Sequence, residues 1–293
     1  MLRRHLIAGA ILAALAAALP TNAQEGSTRA AAPNQGYAPV NGIDMFYEIR
    51  GTGTPVVLLH GGITVYETLG VTLPELARSF QVIVPHLQGH GFTRDVADRP
   101  LDYAQLGRDV IGLLDHLGIE KAHLVGYSTG AGAALQAAVQ HPERVDRLVV
   151  ISTAFARDGW YPDIVQAFVD MPAPAPQLAA GIAQAPFAAD YPDTDWEAVF
   201  RKTGEMERQP YDWSADVAAI KTPTMLIFAD ADALLPEHIV QFYKLLGGGM
   251  RDGGLDGSGR PRGRLAILPN TTHYNLNETT AVADMVAPFL RAQ

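Results

Sequence analysis

Short apolar runs punctuate the chain from residue 37 onward: Val56–Leu59, Val82–Val84, Leu124–Val125, Leu148–Ile151, Met225–Phe228 and Leu265–Leu268. Each is continuous rather than alternating, and a strand with apolar side chains on both sides must be covered on both faces, as in a parallel sheet. Between the second and third runs, Leu106, Val110, Leu113, Leu114 and Leu117 recur on one helical face. Asp102 and Gln105 have the spacing of a capping box, and Gly118 is placed to stop the helix. Strand, helix, strand is therefore the local grammar. Ahead of it, Tyr37–Arg50 carries Asn41-Gly42 between strand-like flanks, a pair that takes positive φ readily and predicts an opening hairpin. The fold class that follows is α/β, with a mostly parallel central sheet flanked by helices.

Two intervals break the alternation. Residues 155–218 hold no strong strand run, but Trp160, Tyr161, Phe168, Trp196, Phe200, Tyr211 and Trp213 surround the proline-rich Met171–Pro176. An aromatic insertion on an α/β core reads as a helical cap or lid, the alternative being ordinary surface helices whose aromatics pack inward. The second interval, Gly247–Gly263, holds eight glycines with Asp252, Asp256 and three arginines. No Gly-Lys-Ser/Thr follows and no nonapeptide frame repeats, so it is expected to be a flexible solvated loop rather than a phosphate or calcium site. It leads into the Leu265 run, at the end of a parallel strand opposite the one where ligands bind.

The N-terminus has another logic. Arg3 and Arg4 precede an apolar stretch from Leu6 to Leu19, followed by Pro20 and the small-residue tail Thr21-Asn22-Ala23. This is the pattern of a signal peptide over residues 1–23, and the stretch is short against the roughly 20 residues a spanning helix needs. An uncleaved anchor is the alternative, and the arginine pair also permits a twin-arginine route. Residues 24–36 lack periodicity and are expected to be a flexible leader to a domain spanning 37–293. An exported, periplasmic or secreted protein is implied, without stable membrane association once the signal is cleaved.

Composition narrows the partners. The 293 residues include 31 acidic and 22 basic side chains, a formal charge of −9, which loss of Arg3 and Arg4 with the leader takes to −11. No basic surplus is available to neutralise phosphates, which disfavours nucleic acid and anionic lipid and suits a small neutral or cationic substrate. With no cysteine, disulfides, thiol nucleophiles and Cys-ligated metals are excluded. The nucleophile must be oxygen or an amine.

One string carries chemistry. Gly126-Tyr127-Ser128-Thr129-Gly130 lies between the Leu124-Val125 run and an alanine-rich helical stretch from Ala131 to Gln140. Gly-x-Ser-x-Gly at a strand-to-helix turn forces the serine into a strained backbone and exposes its hydroxyl above the sheet. A serine hydroxyl needs a base, and the base needs a group that fixes its tautomer. Downstream, Asp230 and Asp232 follow the Met225–Phe228 run, and His273 follows the Leu265–Leu268 run. His60-Gly61-Gly62 follows the Val56–Leu59 run, where glycine lets a main-chain N–H approach a reacting carbonyl. With the N–H of Thr129 it can form a two-donor oxyanion hole.

From about residue 37 to the end the chain resembles the α/β-hydrolase superfamily, in its serine esterase and lactonase-like branch. The residues that carry the resemblance are His60-Gly61-Gly62, Gln88-Gly89-His90-Gly91, Gly126–Gly130, Asp230-x-Asp232 and Thr272-His273. The resemblance implies Ser128 as nucleophile, His273 as general base and acid, Asp232 as its orienter, and amides of Gly62 and Thr129 as the oxyanion donors. It favours Asp232 over Asp230, whose alternative role is to form a turn. The segment Pro85–Gly91 departs from the family in lacking its usual Asp and Arg. His86 and His90 are read as loop histidines rather than substrate contacts, and His60 as support for the oxyanion loop.

The implied activity is cleavage of carboxylic esters or lactones through an acyl-enzyme, with no cofactor and no metal, on a small-molecule substrate and with no nucleic-acid partner. The aromatic insertion suggests a bulky or hydrophobic substrate group. The same triad also serves acyl transfer, perhydrolysis, carbon–carbon hydrolysis or peptide cleavage, and a ligand-binding homologue without turnover is the non-enzymatic alternative. The sequons at Asn270 and Asn277 are read as fortuitous.

Overall fold

The hairpin predicted at Asn41-Gly42 opens the described chain. A computed structural model describes residues 34–63 and 65–292, so the signal peptide call and residues 24–33 lie outside the described residues. Strands β1 (Asn34–Val40) and β2 (Ile43–Arg50) flank the turn, in which Asn41 and Gly42 both have positive φ. Then come β3 (Pro55–Leu59), α1 (Tyr66–Leu69), α2 (Thr72–Ala77), β4 (Gln81–Pro85) and α3 (Tyr103–His116). Next are β5 (Ala122–Tyr127), α4 (Thr129–Gln140) and β6 (Val145–Ile151). Helices α5 (Pro162–Asp170), α6 (Ala175–Ile182), α7 (Trp196–Glu207) and α8 (Ser214–Ala219) separate β6 from β7 (Thr224–Ala231). The chain continues through α9 (Pro236–Leu245), β8 (Arg264–Thr272) and α10 (Ala281–Arg291).

The strands form one sheet in the order β1-β2-β4-β3-β5-β6-β7-β8. From β4 to β8 every pairing is parallel, with Val57 beside Leu124, Val125 beside Val149 and Val150 beside Leu226. The continuous apolar runs are sorted by their alternation onto two faces. Val57, Leu59, Leu124 and Val150 pack with Leu106, Val110 and Ala134 of α3 and α4. Their neighbours Val56, Leu58, Val125 and Val149 pack with Leu73, Leu76 and Val286 of α2 and α10. Each fully buried aliphatic side chain contributes roughly 1.5–3 kcal/mol, so these two layers hold the sheet. Half of the capping box read at α3 is formed: Asp102 accepts from the Gln105 N–H at 2.8 Å, whereas the Gln105 side chain donates to Asp109 and accepts from Arg108.

β1 begins at Asn34, three residues inside the stretch expected to be a flexible leader, and this corrects its boundary. Asn34, Gln35 and Gly36 pair with Ile49, Glu48 and Tyr47; an antiparallel ladder uses the main chain, so polar side chains did not prevent the strand. Residues 247–263 form turns closed by Asp252 and Asp256, each accepting an N–H two residues on. They enter β8 at Arg264, which pairs with Met225 at the start of β7.

The aromatics of residues 155–218 divide between both readings. Trp196 and Phe200 belong to a small core of the insertion with Leu178 and Tyr191, and Tyr211 and Trp213 pack edge-on against Tyr103. Trp160 and Phe168 instead line a cavity above Ser128. The insertion is tied down by buried Lys202 of α7. Its ammonium pairs with Asp95 at 2.7 Å and donates to the carbonyls of Val96 and Arg99. Arg99 in turn makes a two-pronged pair with buried Asp109, which also accepts from Asn41 of the hairpin turn.

Candidate active site

Ser128 sits between β5 and α4 with φ +52° and ψ −119°, a conformation that costs a non-glycine residue roughly 1–3 kcal/mol. Its surroundings enforce it. The Ser128 N–H donates to the Ile151 carbonyl at 2.9 Å, and the Ser128 carbonyl accepts from Ala131 and Gly132 in the first turn of α4. A Cβ on Gly126 would lie 2.3 Å from the Gly130 carbonyl oxygen, and one on Gly130 would lie 2.4 Å from that of His60. Strand and helix close around the serine because both positions are glycine.

The structure brings Ser128, His273 and Asp232 together. His273 Nε2 lies 3.1 Å from Ser128 Oγ, and Nδ1 lies 3.1 Å from Asp232 Oδ1. An ionised carboxylate only accepts, which assigns the proton to Nδ1 and leaves Nε2 free to accept from Ser128. The Tyr127 hydroxyl donates to the His273 carbonyl and fixes the backbone behind the ring. Asp232 accepts from the amides of Ala229 and Ala233 at 2.9 and 2.7 Å. Burial pushes its carboxyl up, but hydrogen bonding and charge from His273, together with Ser152 and Ala229, outweigh this and hold it below the ordinary aspartate value.

Asp230 lies elsewhere. It accepts the N–H groups of Asn270 and Thr271 at 2.9 and 3.0 Å, bracing the turn that leads to His273 without touching the imidazole.

Sequence reasoning missed Ser152. It follows β6 with φ +55°, and its hydroxyl lies 2.6 and 2.7 Å from the two Asp232 oxygens and 2.8 Å from His273 Nδ1. The hydroxyl donates to the carboxylate, while its oxygen shares the Nδ1 proton. The available signal was its place just past the carboxyl end of a strand, the same logic that singled out Asp232 and His273.

Gly62 and Thr129 line the cavity beside Ser128 and His273. Thr129 opens α4, so its N–H belongs to the first turn, which has no helical acceptor and carries the positive end of the helix dipole. The Gly62 loop is held from beneath. His60 Nδ1 donates to the Gly61 carbonyl at 2.6 Å and Nε2 accepts the Leu87 N–H at 3.0 Å. Burial, then the neighbouring His90, lowers the His60 pKa to about 3. His90 Nε2 reaches the Gly62 carbonyl at 2.7 Å, and His86 contacts the Tyr66 hydroxyl and the Phe92 N–H. None of these three histidines lines the cavity.

The cavity wall supplied by α5, α6 and the connection between them is apolar, with Ile164, Phe168, Met171 and Ile182, and Trp160 and Phe187 beside them. Glu67, Glu207 and Glu278 also line it, without any lysine or arginine among the described residues. Glu207 is buried; burial pushes its carboxyl up to about 7 against a hydrogen bond from Tyr103 that lowers it. No group of three or more His, Asp or Glu placed to hold a metal ion occurs among the described residues.

Chemically, a hydroxyl with an imidazole base, an oriented acid and main-chain donors at a helix N-terminus can add to a carbonyl and stabilise the resulting oxyanion. A model of the alpha/beta hydrolase fold family matches residues 54–192. The 2-hydroxymuconate semialdehyde hydrolase of Pseudomonas sp. (strain CF600) is 45% identical over 112 residues, 36% of this chain and 38% of that one. The chain thus matches less than half the length of that relative. Among solved structures, the enol-lactonase from Burkholderia xenovorans LB400 superimposes with a TM-score of 0.68 at 22% identity, over 87% of this chain and 100% of that one. Carboxylesterase CesB from Bacillus subtilis gives 0.65 at 19% identity over 99% and 98%. The parallel sheet, the strand-to-helix serine turn and the family model agree: the chain is an α/β-hydrolase-fold protein.

Proposed function

We propose that this chain is a serine hydrolase that cleaves neutral carboxylic esters or lactones through an acyl-enzyme. The observation that carries the reading is the continuous relay from Ser128 Oγ through His273 to Asp232, in a cavity that Gly62 and Thr129 also line. In it, Ser128 Oγ attacks the carbonyl carbon and passes its proton to His273 Nε2. The oxyanion is held by the N–H groups of Thr129 and Gly62. His273 returns the proton to the departing alcohol oxygen, leaving the acyl group on Ser128. Water then gives a proton to Nε2 and attacks the acyl carbon, and Ser128 leaves as it regains that proton. In a lactone the alcohol and the acid stay in one molecule.

Carbon–carbon hydrolysis is the second reading, favoured by the relative that acts on 2-hydroxymuconate semialdehyde. Such a substrate carries a carboxylate, and the cavity lining has three glutamates and no basic side chain. A carboxylate taken into a cavity with no cationic partner loses hydration that nothing there replaces, which supports the neutral ester. The apolar wall supports a hydrophobic acyl or alcohol group. The leader pattern at residues 1–23 supports export.

Purified protein is to be offered p-nitrophenyl esters, aliphatic lactones and a dienoate carbon–carbon substrate, each with wild type and Ser128→Ala. Turnover of esters or lactones that vanishes in the variant is expected. Folded wild type that turns over only the dienoate would replace this reading with the second one. Export is checked by fractionating the source cells and sequencing the N-terminus of the exported chain; an intact chain found only in the cytoplasm contradicts it.

A further inference from the structure

Helix α7 presents two polar side chains to a cavity whose neighbouring wall is apolar. Thr203 and Glu207 are four residues apart and so share one helical face. Both line the cavity, and both are only 4% exposed. Glu207 Oε1 accepts from the Tyr103 hydroxyl, but Glu207 Oε2 and Thr203 Oγ1 are buried without a hydrogen-bond partner among the described residues. Buried side-chain polar atoms in native proteins are nearly always paired. Two orphans side by side, facing the cavity that contains Ser128, are what a polar substrate group would satisfy. The position is adjacent to the reacting centre, since a Cβ on Gly62 would lie 3.7 Å from the Thr203 methyl and 2.7 Å from Thr129 Oγ1.

We propose that Glu207 and Thr203 form a subsite for a hydroxyl group of the substrate, which donates to Glu207 Oε2 and accepts from Thr203 Oγ1. This rests on the ester hydrolase reading and names a substrate class for it: a hydroxylated ester or lactone with an otherwise apolar body. A hydroxyl is both donor and acceptor, which suits a carboxyl whose burial raises it to about 7, because one hydroxyl complements the ionised and the protonated form. An alkyl group would leave both atoms unpaired. An ammonium could not accept from Thr203.

The test compares p-nitrophenyl alkanoates of four to eight carbons with counterparts carrying a hydroxyl or an amino group at successive chain positions. The readout is the ratio of kcat/KM within each pair, in which any effect common to both members cancels. Wild type is expected to favour a hydroxylated ester by about tenfold or more at one chain position, since sites built to bond a hydroxyl discriminate strongly against analogues lacking it. Glu207→Gln, which keeps an acceptor for Tyr103, and Thr203→Val are each expected to reduce that ratio severalfold. Wild type without hydroxyl preference at any position, a ratio unchanged in both variants, or a preferred amino counterpart would overturn the proposal.

Calorimetric binding of the same pairs to Ser128→Ala, alone and combined with each α7 substitution, reads the subsite without turnover. Turnover of plain esters with no hydroxyl preference leaves the reaction standing and sinks the subsite. Hydroxyl preference in binding that depends on Glu207 and Thr203, in a protein that hydrolyses no ester, upholds the subsite and sinks the reaction.

Discussion

Two walls of one cavity are built differently. At the carboxyl edge of the sheet, Asp232 accepts from two amides and from Ser152, and His273 is bonded through both ring nitrogens and its carbonyl. On α7, facing it, Thr203 and Glu207 leave buried atoms unpaired. Saturated hydrogen bonding fixes geometry, as a nucleophile and its base require, whereas unpaired groups hold affinity in reserve for a ligand. On the proposed reading the sheet carries the reaction and the insertion carries the selection.

The comparison breaks most readily at the two aspartates. Asp232→Asn is expected to lower kcat by about 10⁴-fold, as loss of the carboxylate disturbs the imidazole tautomer, while Asp230→Asn lowers it by less than about tenfold. Steady-state kinetics on one p-nitrophenyl ester decides, and the reverse ranking would exchange their roles. Next in size is Ser152→Ala, which removes a hydrogen bond to a charged group worth about 1.5–3 kcal/mol. A fall in kcat of roughly ten- to hundredfold with little change in KM is expected; an unchanged kcat would reduce Ser152 to packing.

Stability sharpens the contrast. Burial raises the Glu207 carboxyl from its ordinary 4.5 to about 7 in the fold, so between those values the native state holds more protons than the unfolded chain and stability falls as pH rises. Glu207→Gln should therefore gain on wild type across this window, by up to about 1.4 kcal/mol per pH unit. Urea unfolding of both proteins at pH 5 and pH 7 measures the gap, and a constant gap contradicts it. His60 tilts the other way. Its pKa is lowered from 6.5 to about 3, so it binds fewer protons folded than unfolded, and stability is lost as pH falls below 6.5. Over the unit from 6.5 to 5.5 this amounts to at most about 1.4 kcal/mol, read as a lower urea midpoint for the wild type.

Much of the sheet wall was legible in the sequence, because its signals are local. Apolar runs marked the strands, and Ser128, Asp232 and His273 each follow one closely. Ser152 escaped because a lone serine after a strand has no spacing to another motif; its meaning comes from Asp232, eighty residues on. The α7 wall was hidden for another reason. Nothing in the spacing of Arg201, Lys202, Glu205 and Glu207 separates a buried charge from a solvated one, yet Lys202 is buried against Asp95 and Glu207 against Tyr103. Those partners lie about a hundred residues away, and burial of a charge depends on them rather than on helical periodicity. The sequon at Asn277 shows the same limit, since its side chain is buried between Thr72 and the Thr68 carbonyl.

The central claim is that Ser128 becomes covalently acylated, and a fluorophosphonate tests it most directly. The protein is to be labelled to completion, weighed intact and digested to locate the adduct, with folded Ser128→Ala treated in parallel. The account predicts one adduct per chain, on Ser128, formed as ester turnover is lost and absent from the variant. Continued turnover in fully labelled protein, or labelling of the variant at the same rate, would contradict it.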